Sequence, residues 1–455
     1  MLLVDASDPD RRALHDARAD RWLTRGELAR DVAALAGKLA RPRKSLVLAL
    51  MSNEVPCVTG YLAALSAGHA VALWAPEPRP EVVDAYRPEL VLSAQPVELG
   101  PAYSWREISG IHVAEREAAR DDFPEIHPDL ALLLATSGST GSPKLVRLSA
   151  RAVEANARSI AEALAIGPDE VAVTSLPLHY SYGLSVLNSL LISKGSVVVT
   201  GEGLLAGTFW DIVRRTGCTT FAGVPYAYQV LERLDLAKLA VPQLTTLTQA
   251  GGRLTPEVAQ RFHERMRTRG GRFFVMYGQT EATARIAILP SERFPEKVGS
   301  AGRAIPGGAL AIEDDEVVYR GPNVMMGYST ARADLARGDE LGGRLATGDL
   351  GRLDDEGFLF LTGRARRIAK LTGFRVNLDD VEALAAPRAP AAAVARDERL
   401  VVFAVGLDAA AADELRRALA AALKVNATLV EVRGIDALPL TPSGKVDYRA
   451  LEAAA

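Results

Sequence analysis

The sequence predicts an α/β fold: layered sheets of βαβ type over most of the chain, then an antiparallel β subdomain and a small α+β domain at the C-terminal end. Three observations carry this. Short apolar runs alternate with helix-like stretches from residue 45 to residue 278, the rhythm of βαβ units. Around 310–320 and 343–362 that rhythm gives way to short alternating segments with Gly turns, ALAIEDDEVVYRGPN and GRLDDEGFLFLTGR. The 455 residues, 48% hydrophobic and 24% charged, are ordinary for a globular chain of about two to four domains.

Taken in order, WLTRGELARDVAALAGKL (22–39) sets Leu28, Val32, Leu35 and Leu39 at helical spacing behind Thr24, a suitable N-cap. SLVLALM (45–51) and AVALW (70–74) read as strands enclosing a helix over 55–67. The pattern recurs at VAVTSLP (171–177), GSVVVTG (195–201), CTTFAGVP (218–225), LTTLTQAGG (244–252) and FFVMYG (273–278), so parallel sheets are expected. Near the end, LVVFAVG (400–406) reads as a strand, and 411–423 as an Ala-rich helix in which Leu, Glu and Arg supply the amphipathic pattern. A loop bearing Pro and Gly follows at 439–445.

Charge excludes some functions. Lys plus Arg, 53, against Asp plus Glu, 56, gives 53 − 56 = −3, with no excess for neutralising a phosphate backbone or anionic lipid. No nucleic-acid partner is expected. Cys57 and Cys218 are too few for a disulfide framework and too far apart for a metal-ligand spacing, so both read as buried small hydrophobes in a reducing compartment. MLLVDASDPDRR lacks a basic-then-apolar leader, and no run approaches the roughly 18 apolar residues of a spanning helix. The expectation is a cytoplasmic protein with no membrane partner.

The strongest local chemical signal is LLLATSGSTGSPKLV (132–146), an apolar strand running into a loop of hydroxyl residues, two glycines and a lysine. Gly138 and Gly141 let backbone N–H groups approach oxygen, Ser137, Ser139 and Thr140 add hydroxyl donors, and Lys144 adds charge, which suits phosphate. A solvated connector is the plainer alternative for such a loop taken alone. It is not a Walker A loop, because Lys144 follows Pro143 and precedes Leu145.

Together with six further motifs the loop resembles the adenylate-forming superfamily of acyl-CoA synthetases, nonribosomal-peptide adenylation domains and luciferases. In family order these are TSGSTGSPK (136–144, opening at Thr136), LPLHYSYGL (176–184), QAGGRL (249–254), YGQTEAT (277–283), TGD (347–349), GRARRIAKLTGFRV (363–376) and PLTPSGK (439–445). The resemblance implies a large N-terminal domain, 1–364, holding the acyl and ATP sites, and a small mobile C-terminal lid, 365–455. It implies an AMP-forming acid–thiol ligase using ATP and Mg²⁺. A carboxylic acid becomes an acyl-adenylate with loss of pyrophosphate, and a pantetheine thiol, of CoA or of an acyl or peptidyl carrier protein, then takes the acyl group.

The resemblance also assigns residues. Glu281 matches the Mg²⁺ ligand and Thr280 a phosphate contact; Tyr277 would stack on adenine, with Gly251, Gly252 and Gly278 bringing backbone close to the nucleotide. Asp349 and Arg364 match a ribose-binding pair. Lys445 matches the lysine that meets the carboxylate, α-phosphate and ribose oxygen during adenylation, an electrostatic task in an in-line displacement. Gly373 matches the thiol-tunnel glycine, and Arg366 occupies the hinge position where Asp or Lys is common. The basic cluster Arg364, Arg366, Arg367 and Lys370 is either a solvated face or a receiver for an acidic carrier protein or a CoA phosphate.

For the acyl group, LPLHYSYGL matches the pocket-lining segment. Tyr180 stands where many relatives carry a catalytic histidine, with His179 one residue earlier; Tyr180 or Tyr182 is a candidate aromatic gate. Gly223, Gln249 and Met276 complete the expected lining. No Asp occurs between Asp169 and Asp211, which disfavours an α-amino acid. Transfer to CoA or a carrier is favoured; the alternatives are an amino-acid or aryl-acid adenylating enzyme with an amine acceptor, and a silent relative. The segment before the phosphate loop and the C-terminal domain are short for the family, which points to a trimmed CoA nucleotide site and a carrier-protein acceptor.

Overall fold

A computed structural model describes residues 7–117, 123–135, 144–236, 238–364, 367–371, 374–396, 399–423, 425–441 and 444–455. The α/β class is as predicted. The chain divides into two compact units, one comprising residues 1–309 and 319–345, the other 310–318 and 346–455.

The first unit is built on two large sheets. In one, the strands run Arg303–Ala304, Ala287–Leu289, Arg272–Tyr277, Thr246–Gln249, Thr220–Gly223, Val171–Val173, Ser196–Val199, Arg12–Asp16 and Arg21–Thr24. The central pairings are parallel, as the βαβ rhythm predicts, and antiparallel strands close both edges. The other runs Gly327–Ser329, Leu145–Ser149, Leu130–Ala135, Ala70–Trp74, Leu46–Leu50, Leu90–Ser93, Ile111–Arg116 and Tyr103–Ile108. Leu46–Leu50 is buried at every position, as a strand covered on both faces should be. The helix Arg25–Leu39 begins where expected: Thr24 Oγ1 accepts from Glu27 N at 3.2 Å and Glu27 returns the bond to Thr24 N at 2.7 Å.

The hairpin Tyr103–Ile108 with Ile111–Arg116 was not expected, because its first strand is largely exposed and carries little hydrophobic signal. The pairing of Arg12–Asp16 with Ser196–Val199 was likewise invisible, since contact between segments so distant leaves no mark on local periodicity.

The second unit contains Ala391–Arg396, Arg399–Val405 and Val430–Ile435 in one sheet, packed on the helix Ala409–Leu423 through Leu415, Leu419 and Ala420. Antiparallel Arg344–Leu353 and Leu359–Arg364 belong to the predicted β subdomain. Among the described residues no helix is long and apolar enough to cross a membrane. Cys57 and Cys218 are both free and buried, and burial pushes both thiols up.

Candidate active site

The strand Arg272–Tyr277 runs into a tight turn, Gln279–Arg285, that carries the predicted acid-and-hydroxyl pair. The turn is folded onto Gly278, where an added Cβ would meet Ala284 O at 1.7 Å. That glycine is therefore required by the turn itself. Thr283 and Ala284 both have positive φ, 58° and 116°. For Ala284 that is a strained conformation, and it persists because the turn is tied from several sides. Asn323 Nδ2 donates to Ala282 O at 2.8 Å and Arg285 O at 2.9 Å, Asn156 Nδ2 donates to Arg285 O at 3.1 Å, and Thr283 Oγ1 donates to Asn323 O at 2.6 Å.

Within this turn Thr280 is buried, its hydroxyl 3.2 Å from Ser181 Oγ on the helix Ser181–Ile192. Glu281 is half-buried. Its Oε1 accepts from the Tyr328 hydroxyl at 2.8 Å, and its backbone carbonyl accepts from Met325 N at 2.8 Å. Tyr328 also carries Lys144, whose ammonium lies 3.4 Å from the ring centroid. The ladder explains the meeting: Lys144 immediately precedes the strand Leu145–Ser149, whose Val146 pairs with Tyr328. Buried Arg147 fixes the same segment, donating to Tyr328 O at 3.1 Å and pairing with Glu340 at 2.9 Å. Tyr328 lay outside every motif, so nothing in the sequence flagged it.

The remaining nucleotide positions vary. Tyr277 ends its strand half-buried. Gly251 has φ +83°, which only glycine adopts easily, and a Cβ at Gly252 would press on Pro225 at 3.0 Å. In the second unit, Arg364 Nε donates to Asp349 Oδ1 at 3.1 Å, so the predicted ribose pair is one ion pair across antiparallel strands. Lys445 lies in a loop closed on Thr441, whose N–H donates to Lys445 O at 2.7 Å, with Gly444 at φ +75°. Thr136, Ser137, Gly138, Ser139, Thr140, Gly141, Arg366 and Gly373 lie outside the described residues.

The basic cluster needs correction. Arg367 is no part of a solvated face: it pairs with Asp379 at 2.8 Å and Glu382 at 2.5 Å and lies 3.8 Å over the Tyr448 ring. Those contacts commit its charge to the interior of the second unit.

Around the expected acyl pocket, burial sorts the candidates. Tyr182 is buried, with its hydroxyl bonded to Thr248 O at 3.0 Å and Thr248 Oγ1 at 2.9 Å, which holds it too firmly for a gate. Tyr180, half-buried at the entrance to the same helix, is the ring left for that role. Burial pushes its phenol up to about 12, so at neutral pH it is a donor rather than a base. His179 is neutral too: burial lowers its pKa, and a hydrogen bond to the Met51 backbone only partly offsets this. Buried Gln249 donates to Gly252 O at 2.7 Å, Met276 is buried in its strand, and a Cβ at Gly223 would reach Tyr228 at 2.9 Å. A cavity of about 10 Å³, room for about one water, lies beside Ser181, Ser185, Asn156 and Thr283.

Sequence reasoning also missed Arg285. It stands in ATARIAIL, where a single charge interrupts an apolar run, and that was the available signal.

A metal can be accommodated. Among the described residues there is no cluster of three or more His, Cys, Asp or Glu side chains. Glu281 Oε1 is taken by Tyr328, while among the described residues no donor reaches Oε2. One carboxylate with an open oxygen suits Mg²⁺, which keeps waters and completes its shell with substrate phosphates.

The profile of the family described as AMP-binding enzyme matches residues 4–329. The chain belongs to that family, within the adenylate-forming superfamily. The expected class, an AMP-forming acid–thiol ligase, stands with that membership. The sequence is 31% identical over 350 residues to a sulfoacetate–CoA ligase of Cupriavidus necator, covering 72% of this chain and 68% of that one. It is 29% identical over 478 residues to an isonitrile lipopeptide synthase of Streptomyces coeruleorubidus, covering 97% of this chain but 32% of that one. This AMP-binding enzyme thus spans about a third of the synthase's length. Its fold matches the solved structure of o-succinylbenzoate coenzyme A synthetase from Bacillus subtilis in complex with ATP and magnesium ion, with TM-score 0.74 and 22% identity, over 98% of this chain and 97% of that one.

Proposed function

We propose that this enzyme activates a carboxylic acid with ATP and Mg²⁺ and passes the acyl group to a pantetheine thiol. In the first half-reaction a carboxylate oxygen bonds to the α-phosphorus as the bond from phosphorus to the departing pyrophosphate breaks. In the second, the thiol sulfur loses its proton and bonds to the acyl carbon, and AMP leaves. The observation that supports this reading best is the Lys144, Tyr328 and Glu281 arrangement, which sets a cation and a carboxylate on one phenol next to Thr280. A phosphate chain needs both: the ammonium would meet phosphate oxygens directly, and Glu281 would hold a Mg²⁺ that supplies the remaining charge neutralisation.

Within this reading Thr280 donates to phosphate, Tyr277 faces the adenine, and Asp349 accepts from the ribose hydroxyls with Arg364 holding its carboxylate. Lys445 favours the charge that builds on the α-phosphate in the transition state. The 136–144 loop cradles the β- and γ-phosphates, Gly373 leaves room for the pantetheine arm, and Arg366 is the hinge between 1–364 and 365–455. The acceptor is CoA, as in the ligase relatives, or a carrier protein. A thioester formed on free CoA with no carrier present assigns the acceptor to CoA, and one formed only with a carrier protein assigns it to the carrier.

ATP–pyrophosphate exchange across fatty, aryl and amino acids, run beside the Lys445→Ala protein, tests the adenylation reading. Mg²⁺-dependent exchange with one acid class, lost in the variant, is expected. No exchange with any acid would overturn it.

A further inference from the structure

Arg285 is 2% exposed, and its guanidinium lies 4.7 Å over the Tyr182 ring, with Nη2 donating to Ser185 Oγ at 3.3 Å. Its Nε has no hydrogen-bond partner, and among the described residues no carboxylate pairs with it. Of the other buried arginines, Arg147 has Glu340 at 2.9 Å, Arg332 has Glu89 at 2.5 Å, and Arg25 donates to the Leu191 carbonyl at 2.7 Å. A buried guanidinium surrounded by phenol rings and one hydroxyl is expensive, because ring faces and a single neutral acceptor replace only part of the hydration it gives up.

The position of this charge is its second feature. Arg285 follows the Thr280–Glu281 turn directly, is aimed by the strained Ala284, and faces both Tyr180 and Tyr182 from the acyl-pocket segment. Three side chains, Asn156, Asn323 and Thr283, hold the turn in that conformation. The polypeptide places a cation where the acid is expected and, among the described residues, gives it no carboxylate counter-ion.

We propose that Arg285 is a specificity-determining residue that receives a second anionic group on the acid, so the substrates are short acids carrying a distal carboxylate or a comparable oxyanion. This rests on the adenylation reading. Tyr180, the less buried ring, turns aside as the acid enters, and the distal anion makes charge-assisted hydrogen bonds to the guanidinium, including the unpartnered Nε. The same cation repels an α-ammonium, so amino acids are poor substrates.

The test pairs each short dicarboxylic acid with the monocarboxylic acid of equal chain length, in ATP–pyrophosphate exchange and in equilibrium binding to the enzyme with AMP. The wild type should favour the diacid by ~10- to 100-fold, the range of a charge-assisted hydrogen bond. Arg285→Met should erase or reverse that ratio, and Arg285→Lys should keep part of it. Exchange with monoacids alone, or an unchanged ratio in Arg285→Met, overturns the proposal and leaves adenylation standing. Equal losses for both members of a pair overturn it too, by assigning Arg285 to the reacting carboxylate. If no acid supports exchange the adenylation reading fails, and the binding arm still decides this one: diacid binding lost in Arg285→Met supports it, and no diacid binding to wild type overturns it. Should Arg285→Met not fold, the wild-type ratio and the Lys variant carry the decision.

Discussion

The Tyr328 hydroxyl donates to Glu281 Oε1 at 2.8 Å while the Lys144 ammonium rests 3.4 Å from the centre of the same ring. One phenol thus holds the carboxylate of the proposed metal ligand through its hydroxyl and a cation on its ring face. Tyr328→Phe keeps the ring and removes the hydroxyl. The expected result is a rise of about 10-fold in the Mg²⁺ concentration that half-saturates pyrophosphate exchange, with a smaller effect at saturating Mg²⁺. An unchanged Mg²⁺ dependence would remove Tyr328 from the metal site.

Lys445→Ala should slow adenylate formation by about 10² to 10³, the usual cost of one electrostatic donor aimed at a developing charge. Single-turnover formation of the acyl-adenylate at saturating ATP and acid measures this step alone. A loss confined to KM would assign the lysine to ground-state binding instead.

Asp349 and Arg364 are paired at 3.1 Å, with Arg364 63% exposed. Such a pair contributes at most about 1 kcal/mol to stability. Asp349→Ala should therefore leave the melting temperature nearly unchanged while raising KM for ATP by roughly 10-fold or more, through the lost acceptors for ribose. An unaltered KM for ATP would count against the ribose assignment.

Acid should weaken the fold earlier than carboxylate titration does. Burial lowers the pKa of His15, His69 and His179, in each case as the largest cause. His69 shows why: Nδ1 accepts from Ser45 N at 3.2 Å and Nε2 faces Leu39 O at 2.9 Å, so a second ring proton has no acceptor. Below about pH 6.5 the unfolded chain binds protons that the folded chain refuses, so stability falls as pH drops from that value toward the lowered folded pKa. Above it these groups contribute no slope. Melting temperatures from about pH 8 to about pH 5 should show a decline beginning near pH 6.5, shallower in His69→Gln. A flat profile down to about pH 5 would contradict it.

Gly278→Ala should destabilise the first unit by about 3 kcal/mol or more, since a methyl 1.7 Å from Ala284 O must displace backbone. Gly217→Ala, a left-handed helix cap at φ +71° in open space, should cost only about 1 kcal/mol. Similar losses in urea melts of the two variants would show that the turn yields easily.

Much of the local structure was legible because the signals are local. Thr24 with Glu27 announces a capping box three residues apart, and apolar runs such as 46–50 and 272–277 announce buried strands by composition alone. The motif residues Thr280 and Glu281, and Asp349 with Arg364, were named from the sequence for the same reason, since each motif is contiguous. Tyr182 was named as well, but its bond to Thr248 depends on a strand 66 residues away and withdraws it from the gate.

By itself the sequence determined the class of fold and the order of strands and helices in the core, and it named the short segments that are candidates for phosphate chemistry, because periodicity, capping and contiguous motifs act over a few residues. Tertiary structure decided who meets whom. Tyr328 reaches Glu281 and Lys144 only through an antiparallel ladder closing residues 145–149 on 327–329, and Arg367 leaves the basic face only because Asp379, Glu382 and Tyr448 surround it. Arg285 becomes a buried cation with no carboxylate partner among the described residues only when the turn after Glu281 folds against the helix Ser181–Ile192. Burial and the identity of neighbours are properties of the packed chain, and a guanidinium's chemistry is set by what it is buried against.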